Sequence, residues 1–310
     1  MLGRASRILQ ELGEETGDGD VEPERRGGEV KVSLRVIRAG PGLIESYTVR
    51  TWRGRAGARG ADTMTRKYEK PPIQEAVCEF RFADELAWDL TLPGLLYDKI
   101  KDRYPEKKQR LLSSTELFQE EDTLGQKLTQ ESRILFYDTE GTRLVQVGDH
   151  LLTINALAPY RGWAEDFQPH IKSVLESLLE IVKPEHFLRA GLRYINMIEL
   201  PSPRVELPDY FKFHPSIGPE LPQDHISFIL GCQFPFEGEK SLCKVLLTSA
   251  KAGKADTQAA LLDLDLYTAV PNALPVKEAH SWLNWAHDKV NGVFEGCITD
   301  ALRKMFKEVD

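Results

Sequence analysis

The chain has 310 residues, of which 41% are hydrophobic and 28% are charged, and this composition excludes a disordered or fibrous protein. Its 40 basic residues against 48 acidic ones give a net charge of −8, which disfavours a nucleic-acid partner because phosphate binding usually requires a basic surface. No apolar run reaches the roughly 20 residues of a transmembrane helix, so no association with a membrane is expected.

Residues 1–63 differ in composition from the rest of the chain. They hold 11 of the 23 glycines, with 11 basic and 10 acidic residues. Such a segment buries too little apolar area to offset the entropy of ordering, and we predict a poorly ordered N-terminal extension. Within it, Val30–Val36 alternates as a strand does. Because a regular pattern begins at Met64, the alternative is that translation starts there.

Residues 64–184 predict a first α+β half. Its first strand is Ala76–Phe82, which alternates apolar and polar residues. The pattern then predicts a helix over Ala87–Tyr104 that is interrupted or started by Pro93. It also predicts strands near Thr115–Glu121, Arg133–Tyr137, Arg143–Val147 and His150–Asn155, and an amphipathic helix over Ala164–Val182.

Residues 185–310 repeat this order and predict a second half. A long apolar strand, Leu188–Leu200, comes first, and one closing helix from Val276 to Phe306 comes last. Between them lie a short helix or turn at Pro208–Phe213 and strands over Ile226–Phe234, Leu242–Ala250 and Ala260–Ala269.

The two similarly ordered halves indicate an α+β protein with an internal duplication. Each has a strand, a helix, antiparallel strands and a long helix, which favours antiparallel sheets with helices on one face. The order resembles a tandem TATA-binding-like or helix-grip arrangement, as an analogy of fold alone. We expect residues 64–310 to form one compact unit, with an uncovered sheet face as the natural binding surface.

The four cysteines, Cys78, Cys232, Cys243 and Cys297, form neither a CxxC pair nor a metal-ligand pattern. We interpret them as buried reduced thiols, which favours a reducing cytoplasm. With no phosphate-binding loop and no nucleophile motif, neither a metal nor a cofactor is predicted.

Four motifs resemble those of a sporadically distributed prokaryotic family of unknown function, and together they span the chain after Met64. The resemblance implies no activity or catalytic residues, but the patchy occurrence of the family implies mobile genes of the kind found in bacterial defence and toxin–antitoxin systems. The motifs are Tyr68…Lys70-Pro71-Pro72-Ile73…Glu75-Ala76-Val77, Leu152-Thr153-Ile154-Asn155…Pro159-Tyr160…Gly162-Trp163, Gly191-Leu192-Arg193-Tyr194-Ile195-Asn196 and Phe294-Glu295…Ile298-Thr299-Asp300…Leu302.

The strand that opens the second half carries the first candidate binding residues, Arg193, Tyr194 and Asn196. Alternation places Arg193 on one face and the other two on the opposite face. Arg193 either clamps a ligand through its guanidinium or forms a structural pair with Glu75 or Glu79 of the equivalent strand in the first half.

Glu295, Thr299 and Asp300 form the second candidate group, because their spacing places them along one side of the predicted closing helix. Two carboxylates and a hydroxyl can hold Mg²⁺ or act as acid and base. The alternative is an ordinary salt-bridged surface.

Aromatic residues supply the remaining candidates. Tyr160 and Trp163 precede a helix and either pack against its start or stack on a planar ligand. Trp285 points away from the apolar stripe that Trp282 joins, which indicates contact with another element or another chain, and a homodimer is left open. His287, beside Asn284, is interpreted as a surface residue.

Two functional hypotheses follow. The first is a non-enzymatic binding protein with a protein partner, in a mobile defence or toxin-neutralising setting. The alternative is an enzyme acting on nucleotides or nucleic acid, with Glu75, Arg193, Glu295 and Asp300 gathered at the seam between the halves. The enzyme hypothesis requires Glu75, Arg193 and Asp300 to converge in one open cleft.

Overall fold

The computed structural model describes residues 66–120, 123–238 and 240–309, together with the backbone of residues 34–38 and 43–46. Between residues 112 and 131 only the backbone is described. All of these belong to one compact unit, Leu34–Asp310.

The described elements confirm an α+β fold with a large antiparallel sheet. The strands are β1 (Leu34–Arg38), β2 (Leu43–Ser46), β3 (Lys67–Tyr68), β4 (Ile73–Arg81), β5 (Glu106–Glu120), β6 (Thr123–Tyr137), β7 (Arg143–Gly148), β8 (Leu151–Leu157), β9 (His186–Phe187), β10 (Arg189–Leu200), β11 (Ile229–Phe236), β12 (Ser241–Ala250), β13 (Gln258–Thr268), β14 (Leu274–Pro275) and β15 (Glu308–Val309). The α-helices are α1 (Leu92–Ile100), α2 (Gln168–Leu179), α3 (Leu207–Tyr210), α4 (Ala279–Cys297) and α5 (Asp300–Phe306).

Eleven strands form one sheet in the order β11-β12-β13-β10-β4-β8-β7-β6-β5-β1-β2, with antiparallel neighbours. In each half the first strand pairs with the last, β4 with β8 and β10 with β13. The later strands then follow outward in reverse chain order. The two first strands, β4 and β10, pair with each other at the centre and join the halves.

Alternation along β10 separates the two faces of the sheet. Tyr194 and Asn196 are buried on the face that carries the helices, whereas Arg193 and Ile195 lie on the opposite face. Among the described residues no helix packs on that second face, which we call the open face. The core lies between the sheet and α1, α2, α4 and α5, and its largest side chains include Phe80, Tyr104, Phe167, Phe187 and Phe211.

The predicted closing helix is wrong as a single element, because it breaks at Ile298. This residue is extended (φ −109°, ψ 159°) and forms a β-bridge with Phe211, while Thr299 becomes the N-cap of α5. The backbone N–H of Lys212 donates to the carbonyl of Cys297, so contacts with the segment after α3 replace the helical bonds at the break. Periodicity alone could not predict the break, because the apolar stripe continues through it.

Three further predictions need correction. The first helix begins at Leu92 with Pro93 in its first turn, as the alternative of a start at Pro93 predicted, but it ends at Ile100 instead of Tyr104. The β5–β6 hairpin is longer than predicted. The prediction fell short because the polar sequence of these strands does not alternate, and alternation was the signal used to predict strands. Cys232 is exposed, because it lies on the edge strand β11, while Cys78, Cys243 and Cys297 are buried.

The predicted extension, residues 1–63, lies outside the described residues except for two strands. The strand predicted over Val30–Val36 overlaps β1, which pairs with β2 and with β5. The rest of that prediction stays a prediction.

Removal of core volume at the centre of the sheet tests this architecture. We expect Leu192→Ala, at a fully buried position of β10, to lower the free energy of unfolding by about 2–5 kcal/mol, because a cavity remains. Leu111→Ala, the same change at a 60% exposed position of β5, is the control and should cost less than about 1 kcal/mol. Urea unfolding measures both; equal losses would contradict the assigned core.

Candidate functional site

A cleft of about 780 Å³ lies on the helix-bearing face where the two halves meet. We call it the seam cleft. Its floor consists of Tyr194 and Asn196 of β10 with Leu264 of β13, and α4 forms one wall. The other walls are the loop Tyr160–Glu165 and the segment Arg66–Ile73.

A β-bulge lies beside the floor residues. The pairing of β10 with β4 shifts register between Ile195, which faces Glu75, and Asn196, which faces Ile73, so the extra residue is Gln74 of β4. The bulge bends β4, while ordinary alternation along β10 places Tyr194 and Asn196 on the same face. The carboxamide Nδ2 of Asn196 then donates to the carbonyl of Leu262 at 3.0 Å and weakly to that of Tyr194 at 3.4 Å.

The loop before α2 presents Tyr160 and Trp163 to the cleft. Gly162 has φ 110°, a conformation that favours glycine, and a Cβ there would lie 2.8 Å from Oε2 of Glu165. A π-helical turn, Trp163–Phe167, follows and leads into α2. This tight loop therefore fixes where the indole ring of Trp163 points.

The Trp163 ring stacks on His287 of α4, with centroids 4.3 Å apart and an interplanar angle of 7°. Its Nε1–H donates to Oδ1 of Asn284 at 3.3 Å, and Gln168 Nε2 donates to the same oxygen at 2.6 Å. Trp163 thus packs against a helix, as one alternative predicted, but the helix belongs to the other half and the ring still lines the cleft.

A chain of hydrogen bonds runs from α4 to the cleft. Asn291 Nδ2 donates to Nε2 of His287 at 2.9 Å, so the proton on His287 sits on Nδ1, which lies 3.0 Å from the Tyr194 hydroxyl. Tyr194 in turn lies 3.5 Å from the hydroxyl of Tyr160, and either oxygen can be the donor of this long bond. The hydroxyl of Tyr160 can therefore also bond to a ligand, since a hydroxyl both donates and accepts.

These groups are uncharged at neutral pH. Burial lowers the pKa of His287 to about 4 and raises the pKa of both Tyr194 and Tyr160 above the ordinary tyrosine value. A general acid or base works best with a pKa near the working pH. The arrangement is therefore suited to hydrogen bonding and poorly suited to proton transfer.

Glu295 lies at the far end of the cleft and is buried. It accepts hydrogen bonds from the hydroxyl of Tyr68 at 2.6 Å and from Nε of Arg303 at 2.7 Å. Burial, together with the bond to Glu295, raises the pKa of Tyr68. Arg303 also donates to Asp300 at 2.5 Å, so one guanidinium links the two carboxylates across the helix break.

The helix break moves the other two residues of this predicted group out of the cleft. Thr299 donates through Oγ1 to the carbonyl of Asp209 at 2.6 Å and fastens α5 to α3. The side chain of Asp300 is 85% exposed. Glu295, Thr299 and Asp300 therefore form a structural junction, and the structure supports neither a shared helix face nor a ligand set for Mg²⁺.

The segment Arg66–Ile73 closes the cleft from the side. β3 pairs with β15, and Arg66 forms an ion pair with Glu308. Lys67 crosses the cleft mouth to Glu165 of the opposite wall at 2.7 Å. This wall is therefore held by contacts with the end of the chain and with the facing loop.

Arg193 lies on the open face, away from the cleft. Its Nε and one terminal nitrogen donate to the two carboxylate oxygens of Asp263 at 2.7 and 2.6 Å. The pairing alternative is thus supported, but the partner belongs to the neighbouring strand β13 instead of β4. The predicted partners Glu75 and Glu79 are bound elsewhere: Glu75 accepts from Asn155 at 2.6 Å.

Glu79 anchors a second ion-pair group on the open face. It accepts hydrogen bonds from Arg189 at 2.6 Å and Arg81 at 2.8 Å, and Arg189 also reaches Asp265 at 3.2 Å. Burial raises the pKa of Glu79, but these two guanidinium groups outweigh it and leave that pKa below its ordinary value. Arg81, Arg189 and Arg193 thus already have carboxylate partners within the chain.

The structure therefore brings together five of the nine predicted site residues. Tyr160, Trp163, Tyr194, Asn196 and Glu295 line the seam cleft. Arg193 and Glu75 lie on the open face, and Thr299 and Asp300 lie at the helix junction. The convergence of Glu75, Arg193 and Asp300 that the enzyme hypothesis requires is absent.

Sequence reasoning missed the contribution of α4. His287, predicted to be a surface residue, is 8% exposed because the ring of Trp163 covers it. Residues 284, 287, 288, 291 and 295 recur at spacings of three and four, which places them on one face of the helix. This polar stripe beside the apolar one was the feature of the sequence from which the contribution of α4 could have been predicted.

No protein-family model, no curated protein and no solved structure matches this chain. The resemblance to the prokaryotic family thus stays a prediction. In the part of the chain that the structure describes, no three histidine, cysteine or acidic side chains cluster as metal ligands, and no helix is long and apolar enough to span a bilayer. Trp285, for which contact with another chain was one alternative, packs against Phe236 of β11.

A double-mutant cycle tests the structural role of Arg193. We expect Arg193→Ala to lower the free energy of unfolding by about 2 kcal/mol, since Asp263 is left buried without its partner. Arg193→Ala combined with Asp263→Ala should cost less than the sum of the single changes. Arg161→Ala, at an exposed ion pair with Glu140, should change stability by less than about 0.5 kcal/mol. Additive losses in urea unfolding would argue against the pair.

The two buried histidines predict a loss of stability in mild acid. Burial lowers the pKa of His170 and of His287 to about 4, below the ~6.5 of an unfolded histidine. The unfolded chain therefore binds more protons between pH 6.5 and 4, and stability falls as the pH drops through this range. Each histidine should cost about 2 kcal/mol between pH 7.5 and 5.

Urea unfolding at a series of pH values measures this loss. His287→Gln and His170→Gln should each make the pH dependence shallower. If both variants kept the slope of the unaltered protein, the assignment to these histidines would be wrong.

Proposed function

We propose that this protein is a non-enzymatic binding protein whose seam cleft receives a segment of a protein partner. The observation that supports the proposal is the cleft itself, with aromatic walls and polar groups at its floor. Its volume of about 780 Å³ falls in the range of known ligand sites. Aromatic walls with a few placed polar groups are typical of such sites.

Carboxamides favour a peptide as the occupant. Asn196, Asn284, Asn291 and Gln168 all line the cleft, and in each one end of the carboxamide is bound within the chain while the other has no partner among the described residues. These remaining groups are donors and acceptors of the kind that a peptide group requires. The rings of Tyr68, Trp163 and Phe294 offer apolar surface for side chains.

The charges of the cleft argue against a nucleotide. Its three cations, Arg66, Lys67 and Arg161, are each paired with an acid of the same chain. A phosphate would have to compete with these carboxylates for the cations. Together with the net charge of −8, this pairing disfavours phosphate-bearing ligands.

The uncharged state of His287, Tyr194 and Tyr160 supports binding over catalysis. We extend the proposal to a cytoplasmic location, which the four free thiols support. The mobile defence or toxin-neutralising setting rests on the sequence resemblance alone.

Occlusion of the cleft tests the proposal. Peptides that bind the purified protein are selected from a display library. The dissociation constants of the enriched peptides are then measured by fluorescence anisotropy. We expect Ala164→Trp, an exposed position in the cleft wall, to raise the dissociation constant at least about tenfold, since the indole fills the cleft. Ala255→Trp, at an exposed position on a distant loop, is the matched control and should leave it within twofold.

If no peptide is enriched, or if Ala164→Trp and Ala255→Trp bind alike, the cleft is not the binding site. Urea unfolding of both variants verifies that each is folded.

A further inference from the structure

Three of the polar groups of the seam cleft keep hydrogen-bonding or charge capacity that no described residue uses, and their chemistry specifies the ligand. The first is Oδ1 of Asn196. Both partners of this side chain are carbonyl oxygens, so the bonded atom is its nitrogen and the oxygen is left over. For that oxygen the described residues supply no donor. The side chain lines the cleft, so a ligand there could supply the donor.

The second group is the hydroxyl of Tyr160. It lies 3.5 Å from the hydroxyl of Tyr194, and when Tyr194 is the donor the proton of Tyr160 is left for a ligand. Both Asn196 and Tyr160 line the cleft. With this assignment the cleft presents an acceptor and a donor, the complement of an N–H and a C=O.

An extended peptide carries this pair of groups. The N–H and C=O of one residue in an extended chain point to the same edge, as they do in an antiparallel ladder. One residue can thus donate to Asn196 and accept from Tyr160. Its flanking side chains then lie near the aromatic walls.

The third group is the carboxylate of Asp288 at the rim. Asp288 is exposed on α4, lies one turn beyond Asn284 and lines the cleft. It has no ion-pair partner in the described parts of the chain, whereas Glu165, Glu69 and Glu295 are paired with Lys67, Lys307 and Arg303. The rim therefore carries one uncompensated negative charge.

We propose that the seam cleft binds an extended peptide segment with a basic side chain, whose main-chain N–H and C=O pair with Asn196 and Tyr160 and whose cation meets Asp288. This inference rests on the proposed function and narrows it from a peptide to a basic one. The net charge of −8 acts in the same direction, because it steers cations towards the protein.

Charge reversal at the rim tests the choice of ligand. Random hexapeptides with acetylated and amidated ends are selected on the full chain and, separately, on Asp288→Lys. We expect lysine and arginine to be enriched on the unaltered protein and not on the variant. A peptide selected on the unaltered protein should bind Asp288→Lys at least about tenfold more weakly, with less dependence on salt. Asp84→Lys, an equally exposed reversal outside the cleft, is the control and should leave binding within twofold.

Main-chain recognition is tested on the same peptide. Methylation of one peptide nitrogen at a time removes one donor, and we expect a single position to weaken binding about tenfold. Tyr160→Phe, which removes the hydroxyl and keeps the ring, should weaken binding about fivefold.

Two results would overturn this inference and leave the proposed function standing. In the first, Ala164→Trp loses binding but Asp288→Lys has no effect. In the second, Ala164→Trp loses binding but the selected peptides are acidic. Uniform tolerance of N-methylation would exclude main-chain pairing at the floor. If Ala164→Trp has no effect either, the proposed function fails first.

Discussion

The pairing of β4 with β10 is the constraint on which the rest of the structure depends. These strands open the two halves and meet at the centre of the sheet, so the register between them decides which residues of each half become neighbours. A shift of one residue would exchange the two faces, moving Arg193 into the core and Tyr194 out of it. The bulge at Ile195 and Asn196 interrupts this register at the floor of the seam cleft.

The open face and the seam cleft differ in the kind of polar group that they carry. On the open face, Arg193, Arg189 and Glu79 form ion pairs within the chain, which is typical of groups that stabilise a sheet. The floor and wall of the seam cleft carry uncharged groups instead, the carboxamide of Asn196 and the hydroxyl of Tyr160, whose remaining hydrogen-bonding capacity our proposal assigns to a ligand. The charged residues are therefore weaker evidence for a binding site than the uncharged ones, because their guanidinium and carboxylate groups are already bound to each other.

Alternation in the sequence was sufficient to predict the strands around the centre of the sheet and the face on which Tyr194 and Asn196 lie, because side-chain direction in a strand depends only on local parity. It could not predict the partner of Arg193, since β13 lies 70 residues away in sequence. Nor could it predict the break at Ile298 or the burial of His287, which arise from tertiary contacts with Phe211 and Trp163. Periodicity describes one element at a time, whereas the cleft is assembled from five parts of the chain: β10, β13, α4, the loop Tyr160–Glu165 and the segment Arg66–Ile73.

The pairing of β3 with β15 has a consequence for synthesis. Arg66 and Glu308 are 242 positions apart, so the wall they hold cannot assemble until nearly all of the unit has left the ribosome. The strands and helices of the first half emerge far earlier and make most of their contacts with one another. The first half of a nascent chain can therefore form these pairs before the seam cleft exists, because the cleft also requires β10 and α4 of the second half.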